Sequence, residues 1–300
     1  MQLSIIIPTK DRGEIFKLTL RHALDAMEEL PCEIIVVNDS KTSKPTVPQS
    51  SNIRLVDNLK NGVASARNLG ASLAVSPNLL FLDDDILISK KSLTHVLNHS
   101  YLLENSCFNL NWEYPQEPIA QLKQYQFGRF LLKQKLTAFE GWYNDASWQP
   151  NALFQSRAVA SFHLSISKAN FEKSGGYNES FPFSGFEDYD FPMRLKKMGL
   201  RLYIDTRATV HHNEADRMDL DNWLATQERR AITRRVAVNS GYGDLALNYG
   251  FMKAIILKLF LIPGWTSFIK SIPNIKLLDP FYFKMIGIMA ASRIYKGYTS

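Results

Sequence analysis

Leu79-Leu80-Phe81-Leu82-Asp83-Asp84-Asp85 is an apolar run that ends abruptly in three carboxylates. Four large apolar residues in succession predict a strand buried on both faces, as in a sheet covered by helices. Similar runs stand before it at 3–7, 33–37 and 53–56. Helix-period segments at 13–29 and 62–75 lie between them, and Ile15, Leu18, Leu20, Ala23, Leu24 and Met27 form the apolar stripe of the first. Strand alternating with helix predicts an α/β fold, a mainly parallel sheet flanked by helices. Ligands of such sheets bind beyond the carboxyl ends of the strands. That rule singles out Pro8-Thr9-Lys10, Asn38-Asp39-Ser40 and Asp83-Asp84-Asp85.

Beyond residue 104 the pattern is less regular. Residues 105–150 hold Trp112, Trp142, Trp148 and several Tyr and Phe, and suggest an insertion rather than a sheet element. A strand-like 159–166 follows, then a turn at Gly175-Gly176, a helix over about 187–198 and a strand at 201–204. Arg207-Ala208-Thr209-Val210 then leads into His211-His212. The two cysteines, Cys32 and Cys107, lie in no CxxC or Cys/His cluster, which argues against a disulfide scaffold or a zinc site and suggests a reducing compartment. The opening run is too short for a signal peptide and is expected to be the first strand.

Three carboxylates at the end of an apolar strand repel one another, and a cation relieves that repulsion. Alternate residues of an extended chain point the same way, so Asp83 and Asp85 are expected to share one divalent cation, Mn2+ or Mg2+, through oxygen. A cation held so clamps a diphosphate and neutralises the charge it gains on leaving. Taken alone, such a triplet more often serves as the acidic lead-in to a helix, here the one beginning near Ser89.

The company of the triplet argues otherwise. Leu3-Ser4-Ile5-Ile6-Ile7-Pro8-Thr9, then Glu33-Ile34-Ile35-Val36-Val37-Asn38-Asp39-Ser40, then Asn61 to Gly70, then Phe81-Leu82-Asp83-Asp84-Asp85 stand in one order. Gly175-Gly176-Tyr177-Asn178-Glu179 and Gly185-Phe186-Glu187-Asp188-Tyr189-Asp190-Phe191 follow. This ordered set, from residue 3 to about 212, resembles the family 2 glycosyltransferases, whose GT-A fold is Rossmann-like, with 83–85 as its DxD motif. The resemblance implies inverting transfer of a sugar from a nucleoside-diphosphate sugar, with UDP as the expected carrier, to an acceptor hydroxyl.

Carried over by position, the resemblance implies that Asp39 contacts the nucleotide base. Pro8, Thr9, Arg67, Asp83 and Asp84 would line the nucleotide-sugar site. Asp83 and Asp85 would handle ribose and metal, with Asp85 the direct ligand. Asp188 would be the general base, since a hydroxyl attacks well only when a positioned carboxylate takes its proton. Glu187 would orient the acceptor or steady the helix start. One histidine would reach the metal or diphosphate, and only one, because strand alternation sends the pair to opposite faces. His211 is the one expected there, with His212 assigned to the acceptor or sugar pocket. Trp142, Trp148 and His163 fall where the family shapes sugar and acceptor pockets, although buried tryptophan is more often core. Arg67, on a helix start after Gly62, suits either phosphate binding or pairing with an acidic loop. Asn38 replaces a usual acid, Lys10 a usual aromatic and His163 a usual asparagine.

Charge is uneven along the chain. Residues 251–300 hold seven Lys/Arg against one acid, Asp279, and carry the whole net charge of +6. The organisation expected is a catalytic body over 1–250, with a nucleotide-binding half at 1–104 and an acceptor half at 105–250, followed by a basic helical tail at 251–300. Lysines interrupt the tail's apolar runs, so it is not expected to span a bilayer. Two roles suit it equally: lying on an anionic membrane surface, or packing on the body or on a second subunit as a homo-oligomer contact. The first suits a peripheral enzyme at the cytoplasmic face of a membrane, acting on a glycan or lipid-linked acceptor in cell-surface polysaccharide or glycolipid synthesis. Arg229-Arg230 and Arg234-Arg235 raise nucleic-acid binding, but Asp216, Asp219, Asp221 and Glu228 interleave with them and leave no clean basic stripe. A nucleotidyltransferase of related fold is a further alternative, although Pro8 to Gly13 lacks its Gly-rich loop. So is a catalytically silent nucleotide-sugar or membrane-binding module.

Overall fold

The computed structural model describes residues 1–181, 185–214 and 218–300, so Asp216 lies outside the described residues. The first half comprises β1 (Leu3–Thr9), α1 (Gly13–Met27), β2 (Cys32–Asn38), β3 (Ile53–Asp57), α2 (Val63–Leu73), β4 (Asn78–Leu82), β5 (Ile86–Leu87), α3 (Lys90–Asn98) and β6 (Ser106–Glu113). Then come α4 (Gln116–Leu122), α5 (Gln126–Lys133), α6 (Phe139–Tyr143), β7 (Leu153–Gln155), β8 (His163–Ser167), α7 (Lys168–Lys173), α8 (Glu187–Lys197) and β9 (Arg201–His212). Four helices close the chain: α9 (Leu220–Asn239), α10 (Phe251–Leu259), α11 (Trp265–Ser271) and α12 (Asp279–Thr299).

These elements fall into two compact units. Residues 1–113, 138–180 and 187–213 form the first, and 114–137, 181–186 and 214–300 the second. The boundary expected near residue 250 therefore falls inside the second unit. Among the described residues, no helix is long and apolar enough to cross a membrane.

All the strands lie in the first unit, in one sheet of order β3-β2-β1-β4-β8-β6-β9-β5, with β7 paired to β9. β3, β2, β1 and β4 run parallel, as the apolar runs of β1, β2 and β4 predict, with β3, which carries Arg54, at the edge. β8 then pairs antiparallel with both β4 and β6. The fold is thus a mixed α/β sheet whose N-terminal half is parallel. Chain order reverses between β1 and β4, the crevice where such sheets bind ligands. Helix α2 packs closely on β1 and β2, where a Cβ on Gly70 would come within 2.3 Å of Ile6 Cγ2. Gly62, at φ +107°, makes the turn into α2, a conformation L side chains rarely adopt.

Two expectations fail in the first unit. Residues 106–113, read as part of an insertion, form an inner strand, β6. Asn109 and Asn111 weaken its apolar signal, but Asn109 is buried and its Nδ2 donates to the carbonyls of Ala160 and His163, at 2.8 and 2.6 Å. The runs at 201–204 and 207–212 are one strand, β9. Its pairing with β6 slips between Leu110 and Asn111, whose partners are Asp205 and Thr209, and that irregularity interrupts the sequence pattern.

In the second unit, α12 packs on α9 and buries Tyr282, Ile286 and Met289. Arg129 of α5 donates to both carboxylate oxygens of Asp279, each at 2.7 Å. The last helix of the tail is therefore core, whereas α10 keeps Phe251, Met252, Ile256 and Leu259 exposed.

Candidate active site

The three acids after β4 do not continue the strand. The Ile86 N–H donates to the Asp83 carbonyl at 3.1 Å, closing a tight turn with Asp84 and Asp85 at its centre. Strand alternation consequently fails at 83–85, and the carboxylates fan out to three sets of partners. Asp83 accepts from Arg67 Nη2 at 2.6 Å. Asp84 accepts from the Thr9 hydroxyl at 2.7 Å and lies 3.5 Å from Arg12 Nε. Asp85 accepts from Arg12 Nη2 at 2.8 Å, and its other oxygen is 3.2 Å from His212 Nε2. The expectation that Asp83 and Asp85 face one ion together is corrected here, because Asp83 is turned to Arg67.

The histidine assignment is corrected too. His211 is exposed, and it is His212 that reaches Asp85. Strand alternation does separate the pair, as expected, but the irregular stretch of β9 before Thr209 shifts which face each occupies. The His212 ring also stands edge-on to Trp112, 4.9 Å between centroids. An oxygen and an imidazole nitrogen about 3 Å apart match neighbouring ligands of one ion with bonds of about 2.1 Å. Asp85 and His212 thus fit a divalent cation, the carboxylate suiting Mn2+ or Mg2+ and the imidazole favouring the transition metal of the two.

Burial, reinforced by the Asp85 charge, pushes the Asp84 carboxyl up to about 7, against the pull of Arg12 and the Thr9 hydrogen bond. Burial likewise raises Asp83, with Arg67 opposing and the charges of Asp85 and Asp188 adding to the rise. This crowding of negative charge in a partly dry crevice favours a bound cation.

Arg67 is buried, at 3% exposure, rather than open to a phosphate. Its Nη2 meets Asp83 and its Nη1 donates to Glu187 at 3.2 Å, with the Tyr177 ring beneath it at 5.3 Å. Burial favours the neutral guanidine, but Asp83, Tyr177, Asp188 and Glu187 hold the group firmly protonated. It joins α2, the end of β4 and the start of α8, which is the structural alternative left open by the sequence. Glu187, expected to touch the acceptor or steady the helix, is buried on Arg67 at 2% exposure and so belongs to the second role. Asp188, one residue on, is only half-buried and accepts from the Ser161 N–H at 2.9 Å.

Asp39 is pinned at the start of α2, accepting from the Gly62 N–H at 3.0 Å and from Asn58 Nδ2 at 2.7 Å, with Lys10 Nζ at 3.7 Å. Asn38 uses the donors that a carboxylate lacks: its Nδ2 binds Asp57 and the carbonyls of Ser40 and Ser43. Its replacement of the usual acid therefore shapes the loop after β2. Beside it, a cleft of about 170 Å3 opens between Thr9, Arg12, Phe16, Asn38 and Ser43. Pro8 is buried in β1, so its contribution is to shape the strand end.

A family model described as glycosyl transferase family 2 matches residues 4–162, more than half of the chain. This chain belongs to that family. A curated relative, validoxylamine A glucosyltransferase of Streptomyces hygroscopicus subsp. jinggangensis, is 25% identical over 233 residues, 67% of this chain and 53% of that one. The chain spans about half the length of the curated relatives it matches. Among solved structures, the mannosyltransferase PcManGT of Pyrobaculum calidifontis, in complex with GDP-Man and Mn2+, has a TM-score of 0.57 at 13% identity, covering 100% of this chain and 88% of that one. S. aureus TarS 1-349 has a TM-score of 0.52 at 12% identity, covering 99% and 90%. At these identities the likeness is one of fold, and the fold is that of GT-A glycosyltransferases.

Within this family 2 frame, sequence reasoning missed Arg12, Trp112 and Asn58. Arg12 was legible as a cation just after β1, facing an acidic triplet. Trp112 and Asn58 had no local signal, since only pairing of β6 with β9 and the return of β3 bring them near. Trp142 stands edge-on to Trp112 at 6.4 Å and is 43% exposed. Trp148 packs on Phe139 and Phe154, at 5.6 and 5.7 Å, as a core residue would.

His163 is fully buried, opposite Leu82 in the sheet, and does not face open space. Its Nδ1 has no hydrogen-bond partner among the described residues, and burial pushes its pKa down from 6.5 to about 4. Between these values the unfolded chain binds a proton that the folded chain refuses, so stability is full above pH 6.5 and falls as pH drops towards 4. At about 1.4 kcal/mol per pH unit this amounts to about 3 kcal/mol. In urea titrations, the stability difference between wild type and His163→Leu should shift by that amount, against the wild type, on going from pH 7 to pH 4. A constant difference would mean that the imidazole takes up its proton as readily in the folded chain as in the unfolded one.

Proposed function

We propose that the protein is an inverting glycosyltransferase that passes a sugar from a nucleoside-diphosphate donor, UDP being the expected carrier, to an acceptor hydroxyl with the help of a divalent cation. The observation that carries this is the convergence of Thr9, Asp39 and the Asp83 to Asp85 turn at the ends of β1, β2 and β4, with Asp85 and His212 3.2 Å apart. Asp39 and Thr9, beside the cleft over Asn38, are assigned to the nucleoside. Asp85 and His212 would hold Mn2+ or Mg2+, whose chemistry is to neutralise the diphosphate as it leaves. The GDP-Man and Mn2+ named for PcManGT support that assignment.

Asp188 is the base. Ser161 N–H holds one of its oxygens and leaves the carboxylate oriented at the first turn of α8. It takes the acceptor proton as the hydroxyl oxygen attacks the anomeric carbon from the side opposite the departing diphosphate, which inverts the centre. Arg67 and Glu187 are positioning residues that fix the start of α8 against the turn at 83–85. The acceptor assigned is a glycan or lipid-linked hydroxyl in cell-surface polysaccharide or glycolipid synthesis at the cytoplasmic face of a membrane.

Thermal unfolding with UDP, GDP, CDP and dTDP, each with and without Mn2+, tests the donor site. One diphosphate at about 100 times its Kd should stabilise by about 2.7 kcal/mol, and only with the ion. Asp85→Ala should abolish the requirement for the ion together with the stabilisation. A folded protein that responds to none of the four would overturn the assignment.

A further inference from the structure

Helix α10 is amphipathic in reverse. At about 100° per residue, Phe251, Met252, Ile255, Ile256 and Leu259 fall within one arc of about 140°. All five are exposed, Phe251 at 79% and Met252 at 69%. Leu257, on the opposite side, is the buried residue that anchors the helix. Lys253 and Lys258 stand at the two borders of the apolar arc. The exposed apolar surface continues through Ile262 and Phe268, and Lys270 and Lys276 lie exposed in the segment that follows. A soluble helix turns such an arc inward, and a contiguous exposed patch of this kind marks a docking surface.

We infer that the outward arc of α10, with its lysine borders, seats the protein on an anionic lipid surface, the apolar side chains entering the headgroup boundary and the lysines meeting lipid phosphates. Charge selects this occupant. Of the seven bases in 251–300, Lys270 pairs with Asp221, and Arg293 and Lys296 pair with Glu228, which leaves Lys253, Lys258 and Lys276 as the cations beside the arc. The one acid, Asp279, is paired with Arg129. A second copy placed symmetrically on the same face would bring the lysine borders of one arc, Lys253 and Lys258, against those of the other, like charge on like. An anionic bilayer offers the opposite charge to Lys253, Lys258 and Lys276 at once, and an apolar layer just below it. The inference deepens the proposed lipid-side acceptor, and rests on that proposal for its purpose. It also separates two segments that the sequence left equivalent: 281–286 is largely turned into the core of α12, and 251–262 is the surface.

The test is co-sedimentation of the full chain with vesicles of phosphatidylcholine, alone or with about one third phosphatidylglycerol. Wild type should pellet with the anionic vesicles and stay in solution with the neutral ones. Ile256→Ser/Leu259→Ser and, separately, Lys253→Glu/Lys258→Glu should each weaken binding by about tenfold or more. All these side chains point outward, so circular dichroism should be unchanged in both variants. Failure of wild type to bind anionic vesicles, or variants that bind like wild type, overturns the inference, and equal binding to neutral vesicles overturns its electrostatic part. Concentration-dependent dimerisation lost in the serine variant, without vesicle binding, would instead make the arc an interface between copies. Stabilisation by nucleoside diphosphates is read separately, so a failed donor site and a failed docking face are distinguishable.

Discussion

Asp188→Asn should lower turnover by about 10² to 10⁴ while leaving nucleoside-diphosphate binding intact. The amide keeps an oxygen for the Ser161 N–H, so the side chain stays where it is, and α8 keeps its first turn. What is lost is the ability to accept a proton from the acceptor hydroxyl at the moment of attack. The loss should therefore fall on kcat, with the thermal shift by donor diphosphate and Mn2+ unchanged. Equal turnover in the variant would remove Asp188 as the base. Loss of both turnover and the thermal shift would point instead to a damaged donor site, since Asp188 carries charge close to Asp83 and Arg67.

Arg67→Leu should destabilise the protein by about 3–5 kcal/mol, because it leaves the buried Glu187 and the half-buried Asp83 without their cation. For a chain of this size the corresponding fall in Tm is on the order of 10 °C. The double variant Arg67→Leu/Glu187→Gln should recover part of the loss, since the carboxylate that faced the guanidinium is removed along with it. Differential scanning calorimetry on the single and double variants reads both effects. A single variant as stable as wild type would show that the guanidinium is replaceable by solvent, and that it does not join α2, β4 and α8 as described. Arg67→Lys is expected to fall between them, because a lysine has one charged end and cannot bridge two carboxylates in the fixed geometry of the guanidinium.

Much of the first unit follows from local chemistry. Continuous apolar runs made β1, β2 and β4 legible, because a parallel strand covered by helices must be apolar on both faces. That Thr9, Asp39 and Asp83 to Asp85 stand together at the strand ends was legible for the same reason, since each directly follows a buried apolar run. The order of the six quoted blocks carried the family, which a match over residues 4–162 shows. The excess positive charge of the tail was also plain, being a matter of composition.

Tertiary structure decided what depended on distant partners. β6 is a strand because Asn109 and Asn111 find partners more than fifty residues away, which no local window contains. Asp83, Asp84 and Asp85 do not alternate, because the chain turns back at once to pair Ile86 and Leu87 with β9. That same pairing, after the slip in β9, turns His212 and not His211 towards Asp85. Arg67 and Glu187 were each legible as charges, but only packing made them one buried pair, 120 positions apart. Two tail segments of like composition take opposite fates, α12 buried on α9 and α10 exposed. Composition and period determine that a helix has an apolar arc, and only its neighbours determine whether that arc faces protein.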